Sequence, residues 1–299
     1  METNDLYQAA LDDYKAGWLE AADGKIREFL ALQPCHFGAL LFRGHLAEVL
    51  KRPQEALAIY DTAAQVSPGH GLPFTRSSII AFRSEFGDPP LARLTEPDRA
   101  VVSLSSLGHI GRFGNQLFQY AFVRLYAREH GLVAQVPDWI GRDLFDLDDP
   151  LPAGPLPVVN ETQVDMFASL NRESGQVFAN CDLEGYFGGH TSRWRKPKDF
   201  QALFTPGRRI RGRLDRAMEQ VFRRGRTLVA IHIRRGDFGA RGFWIAPTSW
   251  YLAWLNGFWR QLDAPVLYIA TDDASVVGEF SDFAPLHKAA LGEIGRAHV

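Results

Sequence analysis

Charged side chains are concentrated at the end of one apolar run, in segment 232–237, which reads His-Ile-Arg-Arg-Gly-Asp. The preceding residues, 227–231, are rich in β-branched types and predict a buried parallel strand. Polar groups at the carboxyl end of such a strand lie where open α/β sheets bind ligands. Two adjacent arginines need counter-charges, so we expect one to pair with Asp237 while the other offers its donors to a diphosphate. The alternative is an internal Arg–Asp ion pair beside a core histidine.

A glycine-rich segment, 108–116, reads Gly-His-Ile-Gly-Arg-Phe-Gly-Asn-Gln and follows a short apolar run at 101–106. A helical pattern from Leu117 to Glu129, closed by Gly131, comes next. A helix N-terminus behind such a loop points free N–H groups at an anion or a sugar. The glycine spacing is not the Gly-x-Gly-x-x-Gly of dinucleotide folds, so a purely structural turn is the alternative. Asn115 is predicted to cap the helix or to point into a cleft.

Both segments require a strand before them to hold them at a sheet edge. A third apolar run, 266–271, ends in Asp272 and Asp273 and has the same pattern. Strands that end in polar residues predict an α/β protein whose chemistry lies at the carboxyl ends of parallel strands.

Residues 111–121 read Gly-Arg-Phe-Gly-Asn-Gln-Leu-Phe-Gln-Tyr-Ala. They resemble the G-x-x-G-N-Q-x-F-Q-Y-A signature of glycosyltransferase family 11, the α-1,2-fucosyltransferases, and their first six residues are also similar to protein O-fucosyltransferases. Segment 232–237 resembles the H-x-R-R-x-D motif shared by α-1,2-, α-1,6- and protein O-fucosyltransferases. Further resemblances to family 11 follow in order at 185–187, 194–195, 204–206 and 250–251. Gly188 and Gly189 stand where the family has Gln and Ser.

The resemblance implies that the arginine motif opens the nucleotide-binding half of a GT-B fold and holds the diphosphate of GDP. By position, Arg235 would neutralise the charge that develops on the β-phosphate, and Asn115 is the second catalytic candidate. The residues alone do not divide the tasks between the two arginines. The implied donor-binding residues are Gly114, His232, Arg234, Asp237 and Asp272.

The fold class expected from these features is α/β, a GT-B-like glycosyltransferase with an incomplete donor half, preceded by an all-α tetratricopeptide-like helical repeat. The resemblance implies inverting, metal-independent transfer of fucose from GDP-fucose to a galactoside hydroxyl in an α-1,2 linkage, with no cofactor. A glycan acceptor, in bacterial surface-glycan synthesis, is implied by analogy. Two alternatives stay open: a non-catalytic adaptor with a degenerate glycosyltransferase domain, and a transferase that uses another nucleotide sugar.

The helical repeat is indicated by two stretches, 20–34 and 54–68, whose apolar residues align at an offset of 34. This is the period of tetratricopeptide repeats, and each stretch ends at a proline that stops a helix. Two units are fewer than a stable stack needs, so we expect the module to pack on the next domain or on a protein partner. The expected divisions are repeats at 1–72, a linker at 73–99 with one short helix near 79–86, an acceptor-side α/β domain at 100–206, and a partial donor-binding Rossmann-like domain at 207–292.

Composition excludes several classes of protein. The net charge of −2 gives no general attraction for nucleic acid, and hydrophobic and charged contents of 46% and 23% are typical of a globular chain. With neither a secretory signal nor a membrane-length apolar run, we expect a cytoplasmic protein, at most peripherally attached to the inner face of the membrane. The two cysteines, Cys35 and Cys181, are expected to be separate buried thiols.

Two further patterns are interpreted as structural. The Asp-x-Asp at 146–148 lies among prolines rather than after a strand, so we expect a solvated acidic turn without metal. The basic stretch 208–226 places Ile210, Leu214, Met218 and Val221 on one face, which predicts an amphipathic helix with a solvated outer side.

The last residues, 293–299, read Glu-Ile-Gly-Arg-Ala-His-Val and resemble a translated sequencing adapter. We therefore expect a non-native tail and a natural reading frame that departs near Gly292. Family 11 continues beyond this point with further βα units and a Ser/Trp-rich motif.

Overall fold

A computed structural model describes residues 3–89, 99–188, 193–236, 238 and 244–287. The chain divides into two units, the first ending at Gly207 and the second beginning at Arg208. In the described part of the chain, no helix has the length and hydropathy to cross a bilayer. Segment 293–299, predicted to be non-native, lies outside the described residues.

The first unit begins with five helices whose starting points recur. They are α1 (Thr3–Lys15), α2 (Leu19–Leu32), α3 (Phe37–Val49), α4 (Pro53–Val66) and α5 (Gly71–Phe86). Helices α2 and α4 begin at residues 19 and 53, and α3 and α5 begin at 37 and 71, so both starts recur after 34 residues. Ala22 and Ile26 of α2 and their counterparts Ala56 and Tyr60 of α4 are all buried. Small and large apolar residues thus alternate in the same way in both copies.

Helix α5 occupies a segment predicted to be mostly linker. Gly71 and Pro73 both lie in the first turn of α5, where a proline loses no intrahelical hydrogen bond. Ile79 of α5 belongs to the core of the following α/β part, and its neighbour Ile80 belongs to the core of the repeats. The helix is therefore shared by two hydrophobic cores.

The rest of the first unit is an α/β part built on a four-stranded parallel sheet. Its elements are β1 (Val101–Ser103), α6 (Phe113–His130), β2 (Val133–Gln135), α7 (Ile140–Phe145), β3 (Val158–Asn160), α8 (Met166–Leu170), β4 (Cys181–Glu184) and α9 (Pro197–Ala202). The strand order is β2-β1-β4-β3, and every pair is parallel. Helix α6 ends at Gly131, which adopts the left-handed conformation at φ 68°. Phe122 of α6 stacks on Phe187 with a centroid separation of 4.2 Å inside the core.

The second unit carries a three-stranded parallel sheet in the order β5-β6-β7. Its elements are α10 (Arg208–Phe222), β5 (Thr227–Ile233), α11 (Thr248–Phe258), β6 (Pro265–Thr271) and β7 (Leu286–His287), with 3-10 helices at Trp259–Gln261 and Ala274–Phe283. Helix α10 buries Ala217 and Val221. Met218, assigned to the apolar face from sequence, is exposed.

Candidate functional site

The carboxyl ends of β5 and β6 lie side by side, because Ile233 pairs with Thr271. The residues that follow the two strands therefore meet at one edge of the sheet. Asp272 accepts a hydrogen bond of 2.7 Å at Oδ1 from the backbone N–H of Arg235. Its Oδ2 lies 3.9 Å from Nε of Arg234. One carboxylate thus fixes the backbone after β5 and faces a guanidinium group.

The side chain of Arg235 is half-buried and held by two acceptors. Nη2 donates to Oγ1 of Thr248 at 3.0 Å, and Nη1 donates to the carbonyl oxygen of Arg234 at 3.3 Å. Thr248 is the first residue of α11, so the helix start holds the guanidinium group in place. A guanidinium group has five N–H donors, and these contacts leave others able to bind an anion.

The second arginine is held differently. Arg234 places its guanidinium carbon 5.0 Å from the centre of the Phe238 ring, in addition to its contact with Asp272. A Cβ atom at Gly236 would come within 2.9 Å of Oδ2 of Asp272, so the glycine lets this turn approach the carboxylate closely. Asp237, the expected partner of one arginine, lies outside the described residues. Of the described carboxylates at this edge, that of Asp272 contacts both the Arg234 guanidinium group and the Arg235 backbone.

A second carboxylate follows β6 and stays ionised. Asp273 accepts hydrogen bonds from the hydroxyl and the backbone N–H of Ser275 at 2.6 and 3.0 Å. These bonds, with a smaller contribution from the charge of Arg235, lower the pKa of Asp273. The two arginines therefore face two acidic residues at this edge, which offsets their positive charge before any ligand arrives.

His232 lies on the exposed side of β5, so the alternative of a core histidine is wrong. Its carbonyl oxygen accepts a weak hydrogen bond of 3.5 Å from the hydroxyl of Tyr251. A concavity of about 410 Å³ lies beside it, lined by Ile231, His232, Ala246, Trp250, Tyr251 and Trp254. The rings of Trp250 and Trp254 are 60% and 55% exposed, and such flat aromatic faces suit a sugar or a base.

The glycine loop of the first unit leads from β1 into α6. Gly108 and Gly111 have φ values of 90° and 73°, which only glycine adopts at low cost. Helix α6 begins at Phe113 after Arg112, so the prediction that Asn115 caps this helix is wrong by three positions. Asn115 lies in the first turn and is exposed, as is Gly114. A side chain on Gly111 would collide with Asn115, its Cβ lying 2.4 Å from Nδ2.

The polar residues of the motif that follows the loop are buried supports, a role that sequence reasoning missed. Gln116 and Gln119 are 1% and 0% exposed. The side-chain amide of Gln119 donates to the carbonyl oxygen of Ile110 at 3.0 Å, and that of Gln116 lies 3.5 Å from the carbonyl oxygen of Gly111. These two buried amides, spaced three residues apart on α6, therefore hold the carbonyl groups of the loop by hydrogen bonds.

Two acidic residues at the carboxyl edge of the same sheet were also missed. Asp182 accepts hydrogen bonds from the backbone N–H of Ser105, at 2.8 Å, and from its hydroxyl. Glu161 accepts from the backbone N–H groups of Tyr186 and Phe187 at 2.6 and 3.0 Å. Asp182 lies on β4 opposite Ser103, the last residue of β1, whereas Glu161 follows the edge strand β3 and fixes the segment after β4.

The acidic turn at 146–149 has two different parts. Asp146 and Asp148 are exposed, as expected, whereas Asp149 is 2% exposed. Asp149 accepts a hydrogen bond of 2.7 Å from Tyr120 and pairs with Arg124 at 3.1 Å. The described residues contain no group of three or more histidine, cysteine or acidic side chains arranged to hold a metal ion.

The predicted site residues thus fall into two groups, each within its own unit. His232, Arg234, Arg235 and Asp272 meet at one sheet edge of the second unit. Gly114 and Asn115 lie together at the start of α6 in the first unit.

Comparison with known proteins gives matches to solved structures. No protein family and no curated protein matches the sequence. The fold is similar to the crystal structure of fucosyltransferase NodZ from Bradyrhizobium, with a TM-score of 0.41 and 14% identity over 66% of this chain and 82% of that chain. Two further structures are of NodZ alpha-1,6-fucosyltransferase, one soaked with GDP-fucose and one co-crystallized with GDP. Each matches with a TM-score of 0.41 and 16% identity, over 67% of this chain and 82% of that chain. These values are too low to assign a family or an activity.

Proposed function

We propose that this protein transfers fucose from GDP-fucose to a hydroxyl group of a galactoside, with inversion, in an α-1,2 linkage and without a metal ion. The observation that carries the proposal is the arginine pair after β5, held by Asp272 and Thr248 at the carboxyl edge of a parallel sheet. The sequence around it resembles the diphosphate-binding motif of fucosyltransferases. A bacterial surface glycan, made in the cytoplasm at the inner face of the membrane, is the proposed product.

In the proposed reaction, the acceptor hydroxyl attacks C1 of fucose in line with the bond to the β-phosphate oxygen. That C–O bond breaks, its electron pair leaves with GDP, and the hydroxyl proton is released. Arg235 stabilises the charge that grows on the leaving phosphate, because its guanidinium group is already fixed by Thr248 before the reaction begins. Arg234 and His232 bind the donor, and Asp272 holds the turn that carries both arginines. Asn115, in the first turn of α6, is proposed as the second catalytic residue on the sequence resemblance alone.

The decisive experiment compares two arginine variants from opposite ends of β5. Arg235→Ala should lower kcat by about 10²–10³-fold and weaken GDP binding, since it removes charge stabilisation that is strongest in the transition state. The control, Arg226→Ala, removes an exposed arginine that pairs with Asp263 before the amino end of the strand, and should leave both quantities unchanged. Transfer is measured with radiolabelled GDP-fucose and a galactoside, and GDP binding by calorimetry. Equal turnover in the two variants would refute the assignment.

Competition among GDP, UDP and dTDP tests the choice of donor. A clear preference for GDP supports the proposal. A preference for UDP or dTDP would identify a transferase that uses another nucleotide sugar, and binding of none of the three would favour the non-catalytic adaptor.

A further inference from the structure

Helix α5 of the repeats contacts the glycine loop by direct backbone packing. A Cβ atom added to Gly71 would lie 1.8 Å from the carbonyl oxygen of Gly111, which no side chain tolerates. The first turn of α5 therefore lies against the loop backbone itself. This approach uses two glycines, one from each side of the contact.

Thr75, one turn further along α5, is hydrogen-bonded to the same loop. Its side chain is 4% exposed, and Oγ1 lies 3.1 Å from the carbonyl oxygens of both Gly71 and Gly108. The same oxygen accepts a bond of 2.7 Å from the amide of Gln116. One hydroxyl thus connects α5, the loop and the buried amide of α6. In addition, its Cγ2 methyl lies 3.3 Å from where a Cβ of Gly108 would be.

Arg112 makes the contact from the opposite side. This residue belongs to the loop motif and precedes α6, yet its guanidinium group donates to the carbonyl oxygen of Pro68 at 3.1 Å. It also lies over the ring of Phe74, 4.5 Å from the centroid. Arg112 and Gln116 of the motif therefore both bind the helical repeats.

We propose that α5 holds the glycine loop in the conformation that the candidate site needs, and that Thr75 is the positioning residue on α5. The structural part of this inference, that Thr75 orders the loop, is independent of the proposed function. Only the expected effect on the acceptor kinetics rests on that function. Without the hydroxyl, the amide of Gln116 loses an acceptor, and the carbonyl oxygens of Gly71 and Gly108 lose the single donor that they share in a buried place. The loop then relaxes away from α5, and Gly114 and Asn115 move with it because they begin the next helix.

The test compares three threonine variants of the full chain. Thr75→Val removes the hydroxyl at nearly constant volume, Thr75→Ser restores it, and Thr62→Val removes a hydroxyl from an exposed face of α4, where it bonds only within its helix to Ala58. Hydrogen exchange of peptides covering 104–116 measures loop order without reference to activity. We expect exchange on the order of 10- to 100-fold faster in Thr75→Val. We expect wild-type exchange in Thr75→Ser and Thr62→Val.

Transfer kinetics provide the second readout. Thr75→Val should lower kcat/KM for the acceptor about tenfold and leave the Kd for GDP unchanged, with activity restored in Thr75→Ser. If Thr75→Val does not fold, Arg112→Ala, which removes the contacts with Pro68 and Phe74, should accelerate exchange of the same peptides. Loop exchange in the folded variant equal to that of Thr62→Val would overturn the inference. Loop exchange that responds as expected, in a wild type that transfers no fucose, would keep this inference and refute the proposed function.

Discussion

Arg83 of α5 joins the repeats to the α/β part through two carboxylates, and its removal should be costly. Its guanidinium group makes a paired contact with Asp138, at 2.7 and 2.8 Å, and a further contact of 2.9 Å with Asp143. The Asp143 side chain is 0% exposed and that of Asp138 is 24% exposed. In Arg83→Met the stem of the side chain is kept, but the buried carboxylate of Asp143 and the partly buried one of Asp138 both lose the Arg83 cation. Breaking a buried pair in this way costs about 3–5 kcal/mol of unfolding free energy.

The unfolding free energy lost in Arg83→Met should be larger at neutral pH than in acid. Burial disfavours the charged form of Asp138, but its hydrogen bonds and ion pair with Arg83 outweigh this and hold its pKa below the usual range. A lowered pKa contributes stability above the unfolded value of about 3.9, and this contribution is lost as the pH falls through the folded value. The difference between wild type and Arg83→Met should therefore be full near pH 7 and shrink below about pH 4.

Urea denaturation read by hydrogen exchange of first-unit peptides measures this difference free of the second unit. The matched control is Arg195→Met, which removes an exposed partner of Glu173 and should cost less than about 1 kcal/mol. A loss in Arg83→Met no greater than the control, or one that stays constant into acid, would refute the account of a buried, charge-dependent junction.

Three further outcomes are expected. Tyr120→Phe should destabilise the first unit by about 1–3 kcal/mol in denaturant melts, because buried Asp149 loses a hydrogen-bond donor. Gly131→Ala should cost about 1 kcal/mol in the same assay from its φ of 68° alone, since the space for a Cβ is open; an unchanged midpoint would contradict the strain. Iodoacetamide at pH 8 should label exposed Cys35 well before Cys181, whose thiol pKa is raised to about 11 by burial and by Asp182; equal rates in the folded protein would be the contrary result.

The sequence predicted the strands that carry the site because their apolar runs are local and end in polar residues. The strands near 101, 227 and 266 are present, and the helix predicted from Leu117 occurs as α6. Cys35 illustrates a local rule that failed: it was expected to be buried, but it lies exposed in the turn between α2 and α3. A residue between two helices is covered only if the chain folds back over it, and composition does not show this.

The residues that hold the glycine loop in place could not be predicted from local sequence patterns. Thr75 meets Gly108 and Gln116 across 33 and 41 residues of chain, and no periodicity links them. The prolines and glycines between Ser67 and Pro97 favoured a linker, although Gly71 and Pro73 are compatible with a first helical turn. Asp272 was proposed from its strand, but its bond to the backbone of Arg235 depends on the register between β5 and β6.

The 34-residue recurrence of the helix starts also makes α5 a fixed end for a module of adjustable length. Because α5 begins 34 residues after α3 and also packs against the glycine loop, we expect whole 34-residue units to be inserted or removed ahead of α5 without altering its contact with Gly111. We expect an insertion between α4 and α5 to change how α5 packs on α4 and, through α5, to displace the glycine loop. The helical module can thus serve as a spacer engineered in unit steps, with the contact between α5 and the glycine loop unchanged.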